Sequence, residues 1–263
     1  MAGGNGLAII AALGGALLGG AAPATARERT ISLSYPVVEL RQYTLHDGMR
    51  DTLIDLFERE FVESQEALGM KVIGTFRDLD RPNRFVWLRG FRDMGTRLVG
   101  LTSFYGGPLW LAHREAANAT IDDSDNVLLL RAAAPGGEFH PQPTRPALGA
   151  RAPAGLIVAT IEYLNADPAE AIPAFETKVK PALERAGIQP LAWFVTEEAP
   201  NNFPRLPVRS SEHVLVWFAR FADDADRQRH KSAMGRADAS LSNLRARPPE
   251  VLRLAPTSRS ELR

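Results

Sequence analysis

The chain has 263 residues, and its 31 Lys and Arg balance its 31 Asp and Glu, so the formal net charge is zero. That balance argues against nucleic acid as a main partner, because counterion release requires a basic surface. There is no cysteine, which excludes disulfides, thiolate catalysis and thiolate metal ligation together.

The first 26 residues carry no charged side chain. Leu7 to Ala22 is a run of Leu, Ile, Ala and Gly, and at 16 residues it falls short of the ~20 that a spanning helix needs. Ala24-Thr25-Ala26 has the small-x-small form of a signal-peptidase site, and Arg27, Glu28 and Arg29 follow at once. Residues 1–26 therefore read as a secretory signal peptide. The mature protein is expected to be exported, in the periplasm, with no membrane association once the leader is removed. Lacking disulfides, it must rest on a sizeable core.

From there the chain alternates strands and helices. Val37 to Thr44 alternates as a strand. Asp47 is placed as a helix N-cap, and Met49, Leu53, Leu56, Phe57, Phe61 and Leu68 recur at helical spacing before Gly69. Lys71 to Arg77 and Arg84 to Phe91 are strands joined by a turn, residues 93–103 are helical, Pro108 opens a further helix, and Asn126 to Arg131 is a fourth strand. The order is β-α-β-β-α-β. The same order returns with strands at Leu156 to Leu164, Gln189 to Thr196, His213 to Phe221 and Glu250 to Leu254. Helices lie over Asp167 to Ala186 and Asp223 to Arg245, the second with a break near Gly235. FVWLRGFRD (Phe85 to Asp93) matches LVWFARFAD (Leu215 to Asp223) at an offset of 130, which reads as an internal repeat. Residues 132–155 hold five Pro and four Gly and read as a linker between units 27–131 and 156–255, with a tail over 256–263. The Pro-containing loop from Glu198 to Ser211 is expected to overhang one end of a sheet.

Each half is a ferredoxin-like βαββαβ unit, whose helices cover one sheet face and leave the other bare. The expected fold is α+β: two tandem units packed sheet to sheet as an intrachain α/β barrel. The inward faces would line a central ligand space.

VELRQYTL, GTFRDLDRPNRFVWLRGFRDM, FYGGPLWLAHREAANAT and DSDNVLLLR resemble the NIPSNAP family, over about Val37 to Arg131. The resemblance implies the dimeric α/β-barrel superfamily, in which two ferredoxin-like units form a barrel. Relatives there include cofactor-free monooxygenases, haem-degrading enzymes, haem peroxidases and small isomerases. The resemblance implies no particular catalytic residue.

Strand alternation places Glu39, Arg41 and Tyr43 on one face of the first strand, and Phe85, Trp87, Arg89 and Phe91 on one face of the third. Equating Tyr43 with Tyr163 and Trp87 with Trp217 sets Glu39 and Arg41 against Ala159 and Ile161, and Arg89 against Ala219. With these faces turned inward, charge lines one lobe of the barrel and suits an amphipathic ligand with an anionic end. The same residues would also serve as a buried structural salt bridge. Phe104 to Trp110 interrupts a helical region with two glycines and a proline, and Trp110, His113, Arg114 and Ala117 follow on one helix face. One reading sets Tyr105 and His113 at the barrel mouth as a proton-transfer pair. The other packs the aromatics as core and gives His113 a capping role. The candidate set is Tyr105 and His113 for chemistry, with Glu39, Arg41, Tyr43, Trp87, Arg89 and Trp110 as ligand contacts. Glu60 is expected to pair with an arginine at the edge of its helix.

His46, His140, His213 and His230 lack metal-ligand spacing, and Asp122, Asp123 and Asp125 lack the glycine and glutamate of a calcium loop, so no metal site is expected. No P-loop or dinucleotide fingerprint follows the leader. No cofactor is the first expectation; haem stays open, with His113 or His46 as axial candidates. The functional expectation is a barrel pocket for a small apolar or aromatic molecule, with cofactor-free oxidation or isomerisation as its chemistry. An interaction or scaffold module with a filled barrel and a haem-binding protein are the alternatives. The state is monomer or homodimer. Mass spectrometry of exported protein should find Arg27 at the amino terminus; an intact Met1 in a cytoplasmic fraction overturns the leader reading.

Overall fold

The computed structural model describes Met1 and residues 34–140, 144–165 and 167–263; the expected signal peptide lies outside the described residues, Met1 apart. The first half contributes strands β1 (Val37–Leu45), β2 (Lys71–Asp78), β3 (Arg84–Phe91) and β5 (Val127–Ala132), with a short β4 (Ile121–Asp123) added beside the end of β1. The second contributes β6 (Leu156–Tyr163), β7 (Pro190–Thr196), β8 (Val214–Phe221) and β9 (Glu250–Pro256). The order β3-β2-β9-β6-β8-β7-β5-β1 closes through pairing of β1 with β3. β2 with β9 and β5 with β7 are the seams between the halves. Closure leaves none of these eight strands with an open edge. The fold is the α+β double ferredoxin-like unit read from the sequence, closed as an eight-stranded antiparallel barrel with helices outside.

Over the first half run α1 (Arg50–Leu56), a π turn (Phe57–Phe61), α2 (Val62–Glu66), α3 (Met94–Gly106) and α4 (Pro108–Asn118). Over the second run α5 (Pro168–Ala174), a π turn (Phe175–Val179), α6 (Lys180–Arg185), α7 (Asp224–Arg229) and α8 (Lys231–Ala239). Asp93 starts α3 with a reciprocal capping box to Thr96. Pro108 sits in the first turn of α4, where its missing N–H costs nothing. Gly69 and Gly187, with φ of 79° and 82°, take the left-handed turn that ends the first helix of each half. Two expectations are corrected. Asp47 does not cap α1, because its carboxylate accepts instead from the Asn83 side chain. The helix over the second half does not break at Gly235, which lies inside α8; the interruption falls at His230.

The barrel interior is filled by alternating strand residues from both halves, among them Val38, Leu40, Val86, Ile157, Phe218 and Leu254. Two segments that read as loop and tail join this packing. Phe139, from the Pro/Gly-rich stretch, is buried in the interior cluster with its ring 4.9 Å from Phe218 and 5.3 Å from Phe194. Arg145 of the same stretch pairs with Glu66 and Glu261. The expected tail is not free either. Thr257, Arg259, Ser260 and Glu261 are buried against the first half, where Arg259 donates to the Glu58 carbonyl and pairs with Glu63, and Lys71 pairs with Glu261. Phe139→Ala should therefore behave as a core truncation and lower unfolding free energy by about 3–5 kcal/mol. Urea denaturation that gives a change below ~0.5 kcal/mol, as at an ordinary surface site, contradicts the core role of Phe139.

Candidate functional site

In β1, Val38 and Leu40 point into the barrel, so Glu39, Arg41 and Tyr43 point out of it, beneath the helices. Arg89 of β3 stands opposite Glu39, and Trp87 opposite Arg41. The sequence-based expectation of an inward charged lobe is thus corrected: the polar face meets α1 to α4, and the interior stays apolar. The equation of Tyr43 with Tyr163 fails for a related reason. Tyr163 belongs to the interior cluster, whereas Tyr43 packs under helices. Strand register places Thr160 opposite Trp217 and Val158 opposite Ala219, so Arg41 corresponds to Thr160 and Glu39 to Val158. A one-residue slip exchanges the two faces of a strand.

Glu39, Arg41, Arg89 and Arg97 are all fully buried. Arg41 Nη1 donates to Glu39 Oε2 at 2.9 Å, and Arg89 donates to that oxygen from Nη2 at 2.6 Å and Nε at 3.0 Å. Arg97 of α3 donates from Nε to Oε1 at 2.9 Å. Three guanidinium groups thus share one carboxylate, and among the described residues no second acid lies within ion-pair distance of them. Desolvation pushes the Glu39 carboxyl up, but Arg89, Arg41 and Arg97 overturn it and hold the group well below the ordinary carboxylate range. Several of their other donors find neutral partners, while Arg97 Nη2 makes no hydrogen bond. Arg89 Nη1 donates to Gln65 Oε1 at 2.9 Å, and Arg97 Nη1 to Asn201 and Asn202 at 3.0 and 2.7 Å. Arg41 Nε donates to the Tyr43 hydroxyl at 2.9 Å.

Above this cluster lies an apolar cavity of about 100 Å³, partly open to solvent, whose lining includes Tyr43, Phe57, Phe61, Trp87, Tyr105 and Trp110. The π turn brings Phe57 to 4.7 Å from Trp87 and Phe61 to 5.6 Å from Trp110. The loop before β8 crosses from the second half. Asn202 donates to the Met94 carbonyl, Phe203 stacks on Tyr105 at 5.9 Å, and Leu206 reaches the lining. Two polar groups of the lining residues have hydrogen-bonding capacity to spare. The Trp87 indole N–H has no partner. The Tyr43 hydroxyl accepts from Arg41, which leaves its own proton for an acceptor. Burial raises the Tyr43 phenol above its ordinary value against the pull of Arg41, so it keeps that proton at neutral pH. Arg41 and Arg89 lie 5.7 and 4.9 Å from the Trp87 ring, on which the cavity rests.

The structure brings together Tyr43, Trp87, Tyr105 and Trp110 at the cavity, with Arg41, Arg89 and Glu39 behind it. It does not bring His113 there. His113 is 34% exposed with Nε2 3.6 Å from Glu60 Oε2, and no hydrogen bond joins it to Tyr105, so the proton-transfer pair is not formed. Glu60 pairs with Arg59 as well, as expected of an edge acid. Sequence reasoning missed Arg97, Gln65, Asn201 and Asn202. Arg97 was legible, since it shares a helix face with Leu101 and Phe104, where a buried charge demands a partner across the interface. Haem does not fit this cavity, which is too small for a porphyrin and is lined by no imidazole. Among the described residues no three His, Asp or Glu side chains converge to hold a metal ion, and no helix is long and apolar enough to cross a membrane.

No family model matches the chain, and no curated protein matches it. Solved structures do. A candidate monooxygenase from Fusobacterium nucleatum superposes over 85% of this chain and 93% of its own at 9% identity, with a TM-score of 0.55. An anthrone oxidase-like protein covers 84% of this chain and 91% of its own at 11% identity and a TM-score of 0.52. A NIPSNAP family protein of unknown function from Agrobacterium tumefaciens aligns with 37% of this chain and 88% of its own at 20% identity, with a TM-score of 0.35. The first two show that the double unit is a known fold; the third spans too little to carry more than its own alignment.

Glu39→Gln should lower unfolding free energy at pH 7 by about 3–5 kcal/mol, because it strands buried guanidinium groups. Glu39 has a lowered folded-state pKa, so its contribution is present above its unfolded value of about 4.3 and fades as pH falls toward the folded one. The gap between wild type and Glu39→Gln in urea melts should therefore narrow below about pH 4.3; a gap that widens there contradicts the role given to the carboxylate.

Proposed function

We propose that the first-half cavity binds a small aromatic molecule with an ionisable oxygen, a phenol or an enol, and favours its anion. One observation carries this reading. Two protonated donors without acceptors, Tyr43 Oη and the Trp87 N–H, front a buried cluster in which three positive charges face one negative. Negative charge on a ligand oxygen would be stabilised there by preorganised donors in a low-dielectric site. About 100 Å³ encloses a single ring, below the ~300 Å³ of drug-sized sites, so a larger ligand must extend through the open side.

The chemistry supported is cofactor-free oxidation or isomerisation through the ligand's own phenolate or enolate. No side chain lining the cavity is a ready base, so the cationic cluster would act by lowering the ligand's pKa. For an oxidation, dioxygen is the oxidant: a methylene beside the enolate becomes a carbonyl, and the second oxygen atom leaves as water. The candidate monooxygenase and the anthrone oxidase-like protein sharing this fold support that class. The interior side chains of both halves pack against one another, so this reading places the site in the helix-covered layer.

The test uses 4-nitrophenol, whose phenolate is coloured. Bound to the protein it should ionise at a lower pH than when free. Tyr43→Phe should weaken binding about tenfold, the worth of one hydrogen bond to a charged group. No saturable colour change, or equal binding by a folded Tyr43→Phe variant, removes the reading.

A further inference from the structure

The second half holds a groove in the same layer. Its floor is Thr160 of β6, Trp217 of β8 and Val251 of β9, and Thr160 is registered between the other two. Its wall is Arg227 of α7 with Lys231, Met234 and Gly235 of α8. The space measures about 290 Å³, close to the ~300 Å³ at which small-molecule sites begin. Register explains why it exceeds the first-half cavity: Thr160 and Ala219 stand where Arg41 and Arg89 fill the other half. Gly235 is the one glycine of the wall, and the first carbon of a side chain there would meet nothing within 4 Å.

Two side chains of this floor carry polar atoms with no hydrogen-bond partner, Thr160 Oγ1 and Trp217 Nε1, and both residues are more than nine-tenths buried. Buried polar groups are normally satisfied, so an unpaired donor and hydroxyl on adjacent strands call for a ligand oxygen. At the rim the charge is positive. Arg227 is matched by Asp224, while no acid among the described residues lies within ion-pair distance of Lys231.

We propose that this groove binds a small aromatic monocarboxylate carrying a second oxygen at its far end. That oxygen accepts from the Trp217 N–H and shares a hydrogen bond with Thr160. The ring lies against Met234 and Val251, and the carboxylate meets Lys231. The assignment is independent of the first-half cavity, since no residue is shared.

Isothermal titration of the full chain with 4-hydroxycinnamate tests it. Saturable binding with Kd below about 1 mM is expected. Gly235→Leu, which puts a side chain into the empty space, should cost at least about tenfold in Kd. Gly235→Ala, which adds one methyl and favours the helix, should retain binding and report that α8 tolerates the change. Lys231→Glu at an exposed position, and the neutral 4-hydroxycinnamyl alcohol with wild type, should each bind about fivefold more weakly. No saturation with wild type up to about 1 mM, or unchanged binding by a Gly235→Leu variant with wild-type circular dichroism, overturns the site. Unchanged affinity in both the Lys231→Glu and the alcohol arms overturns the carboxylate.

Discussion

One carboxylate organises the helix-covered face of the first half. Glu39 offers two oxygens to Arg41, Arg89 and Arg97, which come from β1, β3 and α3. Burying an ion costs several kcal/mol unless it is paired and hydrogen-bonded, so these three elements cannot shift independently without exposing that cost. The constraint extends to the second half, because Arg97 also holds Asn201 and Asn202 and so fixes the loop that closes over the aromatic cavity. The shape of the cavity and its positive surroundings thus have one origin.

The fold was legible because both determinants were local: strand alternation and helical spacing set the elements, and the repeated order set the pairing of two sheets. The side on which the site lies was not. In a barrel with helices outside, both faces of every strand are buried, so alternation separates two sets of residues without saying which looks inward. Alternation puts Glu39 and Arg41 on one face of β1 and Arg89 on one face of β3, and the buried salt bridge that these residues also suggest is formed, on the helix-covered side. The deciding signal lay in another element, since Arg97 on the buried face of α3 requires its countercharge on the sheet surface beneath it. Tyr43 and Tyr163 look equivalent near their strand ends, yet a single-residue slip puts them on opposite faces.

Composition misled differently in the irregular segments. Five prolines and four glycines over 132–155 describe an average, and the average conceals two anchors, Phe139 inside the barrel and Arg145 between Glu66 and Glu261. The stretch after β9 carries much of its order in side chains, beside two backbone bonds to β2 from the Thr257 and Leu262 N–H groups to the Thr75 and Ile73 carbonyls. Thr257 and Arg259 bind Glu58, and Glu261 binds Lys71, so no periodicity announces it. Both segments tie the halves together at the seam formed by β2 and β9.

An eight-stranded barrel is just wide enough for its own side chains to fill. Here they do fill it, and the interior becomes a rigid support rather than a container. Space for a ligand must then come from the layer between sheet and helix, where the size of a few outward residues sets the gap. Large charged groups at Arg41 and Arg89 leave a narrow aromatic cavity over a positive base, whereas Thr160 and Ala219 leave a wider groove with unsatisfied polar atoms at its floor. Closing both sheets within one polypeptide is what allows such a difference. In a barrel made from two identical chains every outward residue would be present twice, and the two layers could not diverge.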